Sequence, residues 1–183
     1  MKINKKRCRW VNLDNENYVK YHDHVWGQAT HDDKELFEML VLESFQAGLS
    51  WECILNKQQS FQDAFDQFDV IAVSHYTHEK VEVLMQDASI VRNRRKILAT
   101  IQNAKVFQDI QKEYGTFDAY IWKFTDGKTI YEPDQGSSDL SKQISKDLKK
   151  RGMNFVGETI IYSYLQAIGV LDCHEPECYL YQK

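Results

Sequence analysis

Residues 77–115 read THEKVEVLMQDASIVRNRRKILATIQNAKVFQDIQKEYG, and the order of elements within them decides the fold. Thr77 precedes Val81, Leu84 and Met85, which share one helical face and end near Gln86. A tight Asp87-Ala88-Ser89 turn follows, then the pair Ile90-Val91 and a cap at Asn93. From Asn93 to about Tyr114 the spacing predicts a long helix, with Ile97, Ile101, Ala104 and Phe107 on one side and Gly115 as its stop. Helix, hairpin turn and helix, with Arg92, Arg94, Arg95 and Lys96 about the second helix's first turn, can offer amides and cations to a phosphate. A charge run is also commonly just a solvated face, so both readings stand for this cluster taken alone.

Working outward, the punctuation stays helical. Thr30, Asp32 and Asp33 offer caps for a segment beginning near Lys34, with Leu36, Phe37, Leu40 and Val41 as its apolar stripe. Ser60 opens another, in which Phe61, Ala64, Phe65 and Phe68 keep helical spacing. Ser138 or Asp139 caps a helix ending at Lys150-Arg151-Gly152, and a last one runs from Glu158 to Ile168 before Gly169. Only Thr129-Ile-Tyr131 suggests extended structure, and Asp126-Gly127 and Pro133 to Ser138 read as loops. Phe37, Phe45, Phe61 and Phe65 belong to the core. The expected fold is all-α, compact and a single functional unit.

The 183 residues suffice for a sizeable core, and 27% charged with 43% hydrophobic residues describes a globular chain. No apolar run approaches the roughly 18 residues of a membrane span, so no membrane partner is expected. The basic start Met1-Lys-Ile-Asn-Lys-Lys leads into no hydrophobic segment and is not a secretory signal, which points to the cytoplasm. There, Cys8, Cys53, Cys173 and Cys178 are more naturally metal ligands or free thiols than disulfides. Cys53 reads as a small core residue. The net charge of −4 argues against non-specific nucleic-acid binding without excluding a local basic face, and Lys5-Lys6-Arg7-x-Arg9 and Lys142 to Arg151 are further clusters.

Two constellations carry chemistry. Cys8 and His22 near the start, with His174 and Cys178 near the end, form a ligand set suited to a closed, four-coordinate zinc site that would clip the chain at its base. The spacing equally admits an ordinary buried thiol at Cys8 and a surface His174. Separately, Trp10, Tyr18, Tyr21, Trp26 and Trp51 are interleaved with Asp23, Glu43, Gln46 and Ser50. Any one aromatic is by default core, but several around a carboxylate make a pocket able to sandwich a planar base.

The strings Tyr21-His-Asp-His-Val-Trp-Gly27, Leu42-Glu-Ser-Phe-Gln-Ala-Gly-Leu-Ser-Trp51, Ile90-Val-Arg-Asn-Arg94 and Lys150-Arg-Gly-Met-Asn-Phe-Val-Gly157 closely resemble the 3-methyladenine DNA glycosylase I family, bacterial enzymes of the helix-hairpin-helix superfamily. The resemblance runs from Cys8 to Cys178. It implies one structural zinc held by Cys8, His22, His174 and Cys178. It makes Glu43 the pocket carboxylate that recognises methylated adenine and carries catalysis, Trp51 the stacking ring, and Tyr21 and Trp10 pocket walls, with Trp26 grouped among the base-binding aromatics. Gly48 and Leu49 match the tip that enters the DNA at the lesion. The turn from Asp87 to Arg94 matches the hairpin on the phosphate backbone, which assigns Ser89, Arg92, Arg94 and Lys96 to DNA binding.

The implied unit spans residues 1–183, with a helix-hairpin-helix core over about 30–125 and a zinc-stapled terminal part from 1–29 and 126–183. The implied partner is alkylated double-stranded DNA, the product free 3-methyladenine, and the expected state a monomer. Methylation at N3 makes adenine a cationic leaving group that needs no general acid, so base extrusion and Glu43's charge supply the catalysis. Hydrolysis leaves an abasic site, and nothing marks a lysine nucleophile for strand cleavage; Lys96 and Lys57 read as phosphate contacts or surface. Ser89 stands where the family's hairpins commonly carry glycine, which puts the closeness of its phosphate contact in question. The alternatives are a zinc-stapled damaged-DNA-binding module without catalysis, and a metalloenzyme using the zinc as Lewis acid, which four protein ligands disfavour.

Overall fold

The computed structural model describes residues 5–182; Met1–Asn4, the beginning of the basic N-terminal run, and Lys183 lie outside the described residues. The described chain is mostly helical. In order it forms α1 (Glu16–His24), α2 (Asp33–Gln46), α3 (Trp51–Leu55), α4 (Gln58–Ala64), α5 (Val70–Ser74), α6 (His78–Gln86), α7 (Arg94–Tyr114), α8 (Phe117–Trp122), α9 (Asp139–Lys150) and α10 (Glu158–Ala167). A two-residue strand β1 (Ile130–Tyr131) pairs in parallel with β2 (Leu171–Asp172). β1 falls where extended structure was expected. β2, buried and only two residues long, carries no alternation to announce it.

The caps explain the boundaries. Asp32 accepts from the amides of Lys34 (2.9 Å) and Glu35 (3.0 Å), Asn93 from Lys96 (3.2 Å), and Ser138 forms a reciprocal box with Ser141. α2 is the central post: every residue from Leu36 to Phe45 is buried, and α7, α8 and α10 pack around it. Phe107 of α7 meets Phe37 of α2 at 5.2 Å and stacks on Phe117 of α8 at 4.0 Å. Each such phenyl contributes about 2–3 kcal/mol by leaving water. Asp33 accepts from Gln111 Nε2 (2.7 Å) and from the amides of Phe117 and Asp118 (2.8 Å each), tying the start of α2 to the start of α8.

One expected helix stops early. α4 ends at Ala64, and Asp66, Gln67 and Phe68 take φ of 51°, 55° and 56°, a left-handed turn. Phe65 and Phe68 remain fully buried, stacked at 6.1 Å, so packing of the rings overrides continuation of the helix.

Candidate active site and metal cluster

The completely buried stretch of α2 carries Glu43, which is 3% exposed. Burial alone, with no cation to offset it, pushes its carboxyl up to about 8. Glu43 lines a cavity of about 270 Å³ with Trp10, Tyr18, Tyr21, Trp26 and Trp51. That is just under the roughly 300–1,000 Å³ of a drug-sized cleft, room for one flat ring system. Trp10 meets Trp26 edge-on at 4.8 Å, and Tyr21 and Trp51 lie 5.0 Å apart at 51°. The five pocket residues expected from sequence (Glu43, Trp51, Tyr21, Trp10 and Trp26) thus share one cavity. Gln46 lines it too, and so do Asp134, Ser163 and Gln166. Asp134, Ser163 and Gln166 carry no sequence signal, because each is an isolated polar residue in a loop or helix without any pattern around it.

Local structure delivers these side chains. Asn15 caps α1, accepting from the amides of Asn17 and Tyr18, and α1's spacing sends Tyr18 and Tyr21 to one face. Burial holds the Tyr21 hydroxyl protonated beside Glu43. Ser50 caps α3 by accepting from Cys53 N at 3.2 Å, fixing Trp51 at that helix's start. Asn12 and Asn15 each donate to Glu52 at 2.8 Å, lashing the loop after Trp10 to α3. Cys53, expected in the core, is only partly buried.

Between α2 and α3 the chain makes a protruding tip. Gly48 has φ +80°, and Leu49 is 38% exposed. Gln46 Nε2 donates to Leu49 O at 2.9 Å. Lys96 corrects its expected role as a phosphate contact: the side chain is buried, and its ammonium donates to Phe45 O (2.7 Å) and Ala47 O (2.6 Å). The reason is that α2 ends with unpaired carbonyls, which a cation satisfies better than water can reach them. Lys57 likewise turns to protein, donating to Ser89 O at 2.9 Å. In the segment between α6 and α7, Ser89 and Arg92 are exposed, whereas Arg94 at the start of α7 is paired with Glu82 (2.8 Å). Ser89's amide (2.8 Å) and hydroxyl (2.5 Å) both donate to Asp87.

The chain ends converge. Cys8, His22 and Cys178 are all buried, with ligand atoms within 4.8 Å of one another, and this group could hold a metal ion. Arg7 donates to Asp23 (2.8 and 2.6 Å), and those bonds hold the Asp23 carboxyl well below its usual range. Ionised Asp23 can only accept, so His22 Nδ1 is its donor at 2.8 Å and His22 Nε2 is left as the acceptor nitrogen, facing the Cys8 amide at 3.4 Å. Burial lowers the His22 pKa, favouring this neutral ligand form. It also pushes the Cys8 thiol up to about 12, so a cation is what would make it a thiolate. His174 stands beside the group rather than within it, its ring 5.2 Å from that of His22. Its Nδ1 lies 2.6 Å from Asp172, and its Nε2 is buried without any partner. A metal is the kind of group that orphaned atom lacks.

The chain matches the methyladenine glycosylase family over residues 10–181. It is 42% identical to DNA-3-methyladenine glycosylase 1 of Escherichia coli (strain K12) over 183 residues, covering 96% of this chain and 97% of the relative. A solved structure of 3-methyladenine DNA glycosylase I superposes with a TM-score of 0.93 at 38% identity, covering 97% of this chain and 100% of the other. A variant of 3-methyladenine DNA glycosylase I, solved in complex with 3-methyladenine, superposes with a TM-score of 0.92 at 34% identity, covering 97% and 98%.

Proposed function

Because this chain belongs to the methyladenine glycosylase family, we propose that it works in base-excision repair by hydrolysing the N-glycosidic bond of 3-methyladenine in alkylated DNA. The observation that carries the mechanism is Glu43: a carboxyl sealed among five aromatic rings with no cation of its own. Such a site is poised for a positively charged planar ligand. 3-Methyladenine in DNA is cationic, whereas adenine is neutral and would leave a buried carboxylate uncompensated.

Each residue then has a task. Leu49 at the Gly48 tip enters the gap left by the extruded nucleotide, and the hairpin around Ser89 and Arg92 holds the phosphate backbone. Trp51 stacks on the base, with Tyr21, Trp10 and Trp26 as walls. The charged base draws Glu43 into its ionised form against the burial that otherwise keeps it neutral, and the carboxylate stabilises the positive charge spread over base and sugar as the bond to C1′ breaks. Water completes the hydrolysis and leaves an abasic site. The tip hangs on Lys96, which acts as a structural cap and not as a nucleophile.

Cys8, His22, His174 and Cys178 would hold one zinc ion. Zn–S of about 2.3 Å and Zn–N of about 2.0 Å at the tetrahedral angle put two such ligands roughly 3.5 Å apart. Cys178 Sγ stands 3.4 Å from His22 Nε2, in keeping with that spacing. Four protein ligands leave the ion no open position, so what it supplies is a staple for the chain ends.

Incubating the protein with methylated DNA and identifying the released bases tests the reading. Release of 3-methyladenine with intact strands is the expected result. Tight binding without release would return the non-catalytic damage-binding module, which the sealed carboxyl otherwise disfavours.

A further inference from the structure

Gln166 is a wall of the base cavity to which the chemistry above gives no task. It lies in α10 between Leu165 and Ala167, is 6% exposed, and lines the cavity with Glu43. Its backbone carbonyl accepts from Gly27 N at 2.9 Å, which holds the residue against the loop that follows Trp26. Its amide nitrogen is buried with no hydrogen-bond partner. An unpaired buried donor is a costly defect that a ligand acceptor can relieve.

The surroundings indicate which way the amide faces when it works. The Cys173 thiol, which burial keeps protonated, gives the amide nitrogen no hydrogen bond. The Tyr162 hydroxyl gives its single proton to Glu132 Oε1 at 3.1 Å, so across 3.6 Å it accepts the S–H. The sulfur then has no proton for the carboxamide, and the unpaired Gln166 N–H is left for an acceptor in the cavity that the residue lines.

We propose that Gln166 reads the flipped base, donating from its amide N–H to ring nitrogen N1 of 3-methyladenine while Glu43 accepts from the neighbouring exocyclic amine. This rests on the reading above that the cavity receives the flipped base. Adenine presents an acceptor N1 beside a donor amine. Guanine presents the reverse, a donor N1–H beside the acceptor O6. The Gln166 and Glu43 pair fits the first and opposes the second, because the wrong base leaves buried polar groups unpaired. Gln166 is therefore a specificity-determining residue for 3-methyladenine over 3-methylguanine.

Gln166→Leu is the test, with excision of both 3-methylpurines from methylated DNA measured beside wild type. Free 3-methyladenine and its 1-deaza analogue are also titrated against the fluorescence of the cavity tryptophans. Losing one hydrogen bond should lower kcat/KM for 3-methyladenine about tenfold. Excision of 3-methylguanine should not fall, so selectivity narrows by the same factor. Wild type should prefer 3-methyladenine over the 1-deaza analogue, and the variant should not. A folded variant that keeps wild-type selectivity overturns the assignment. Should the variant not fold, the wild-type titration decides alone, since indifference to N1 also overturns it. Wild-type protein that releases no 3-methyladenine would instead sink the functional reading itself.

Discussion

The indole of Trp26 meets the imidazole of His174 edge-on, with ring centroids 4.7 Å apart. Trp26 lines the base cavity, and His174 borders the Cys/His cluster. Trp10, which meets Trp26 in the cavity, is also 5.4 Å from the His22 ring. Gly27 leaves the room for this: a Cβ there would stand 2.7 Å from His174 Cε1. One wall of the cavity is thus built on the two imidazoles that the proposed zinc would hold.

Removing the metal should consequently cost both stability and base binding. An ion held at about a thousand times its Kd adds about 4 kcal/mol, and at this chain length each kcal/mol shifts Tm by roughly 2–4 °C. Chelation is expected to lower Tm by about 8–16 °C on that basis, and to weaken binding of free 3-methyladenine in the fraction still folded. Melting curves and tryptophan fluorescence with and without chelator measure both. Unchanged melting in demonstrably metal-free protein would reject the staple.

Glu43 gives a pH signature. Its carboxyl is pushed from 4.5 to about 8, so between those values the folded protein holds one more proton than the unfolded chain. The sign follows: stability is full below 4.5 and is lost as pH rises through about 8. Glu43→Gln removes that slope and should be more stable than wild type at alkaline pH, on the order of a few kcal/mol, with little difference in acid. Denaturant titrations across pH check this.

The same ionisation should appear in catalysis. Wild-type kcat/KM for 3-methyladenine is expected to rise with pH through about 8, since that parameter reports the free enzyme's groups. Glu43→Gln should lose roughly a hundredfold in kcat/KM and the pH limb with it. A variant with full activity, or a wild-type profile flat across this range, would remove Glu43 from its role.

How far the sequence went depends on whether a residue's neighbours in the chain reveal its setting. The long helix α7 was legible from Asn93 to Gly115 because cap, apolar spacing and stop are all local. The pocket aromatics and the ligand pairs were legible as chemical types. α1 was not, because Asn15-Glu16-Asn17 reads as loop until the Asn15 cap bonds are seen. Lys96 looked like one cation among several at a helix start. Only the fold reveals that Phe45 and Ala47, on an element much earlier in the chain, need it. Gln166 was invisible for the same reason, its setting being a cavity built from other elements.

The tip separates DNA engagement from base recognition. Leu49 is 38% exposed, so Leu49→Ala should alter stability by less than about 0.5 kcal/mol. Affinity for free 3-methyladenine should stay at the wild-type value while excision from duplex DNA falls severalfold. Gly48→Ala meets no atom within 4 Å but holds φ at +80°, so its cost is backbone strain of about 1 kcal/mol. Equal losses of Leu49→Ala on free base and duplex would contradict the plug.

Lys96 and Arg92 should fail in different ways although both sit in one basic cluster. Lys96→Met keeps the stem but strips the cation from Phe45 O and Ala47 O, leaving buried carbonyls unpaired at a cost of about 1–3 kcal/mol. It should lower Tm and weaken excision through the displaced tip, while the dependence of DNA affinity on salt stays as in wild type. Arg92 is exposed, so Arg92→Ala should leave Tm unchanged and reduce the salt slope by about one, as expected when one fewer phosphate is neutralised. Binding isotherms at several salt concentrations, read beside melting curves, distinguish the two. A reduced slope in Lys96→Met with an unchanged Tm would return that lysine to the DNA interface.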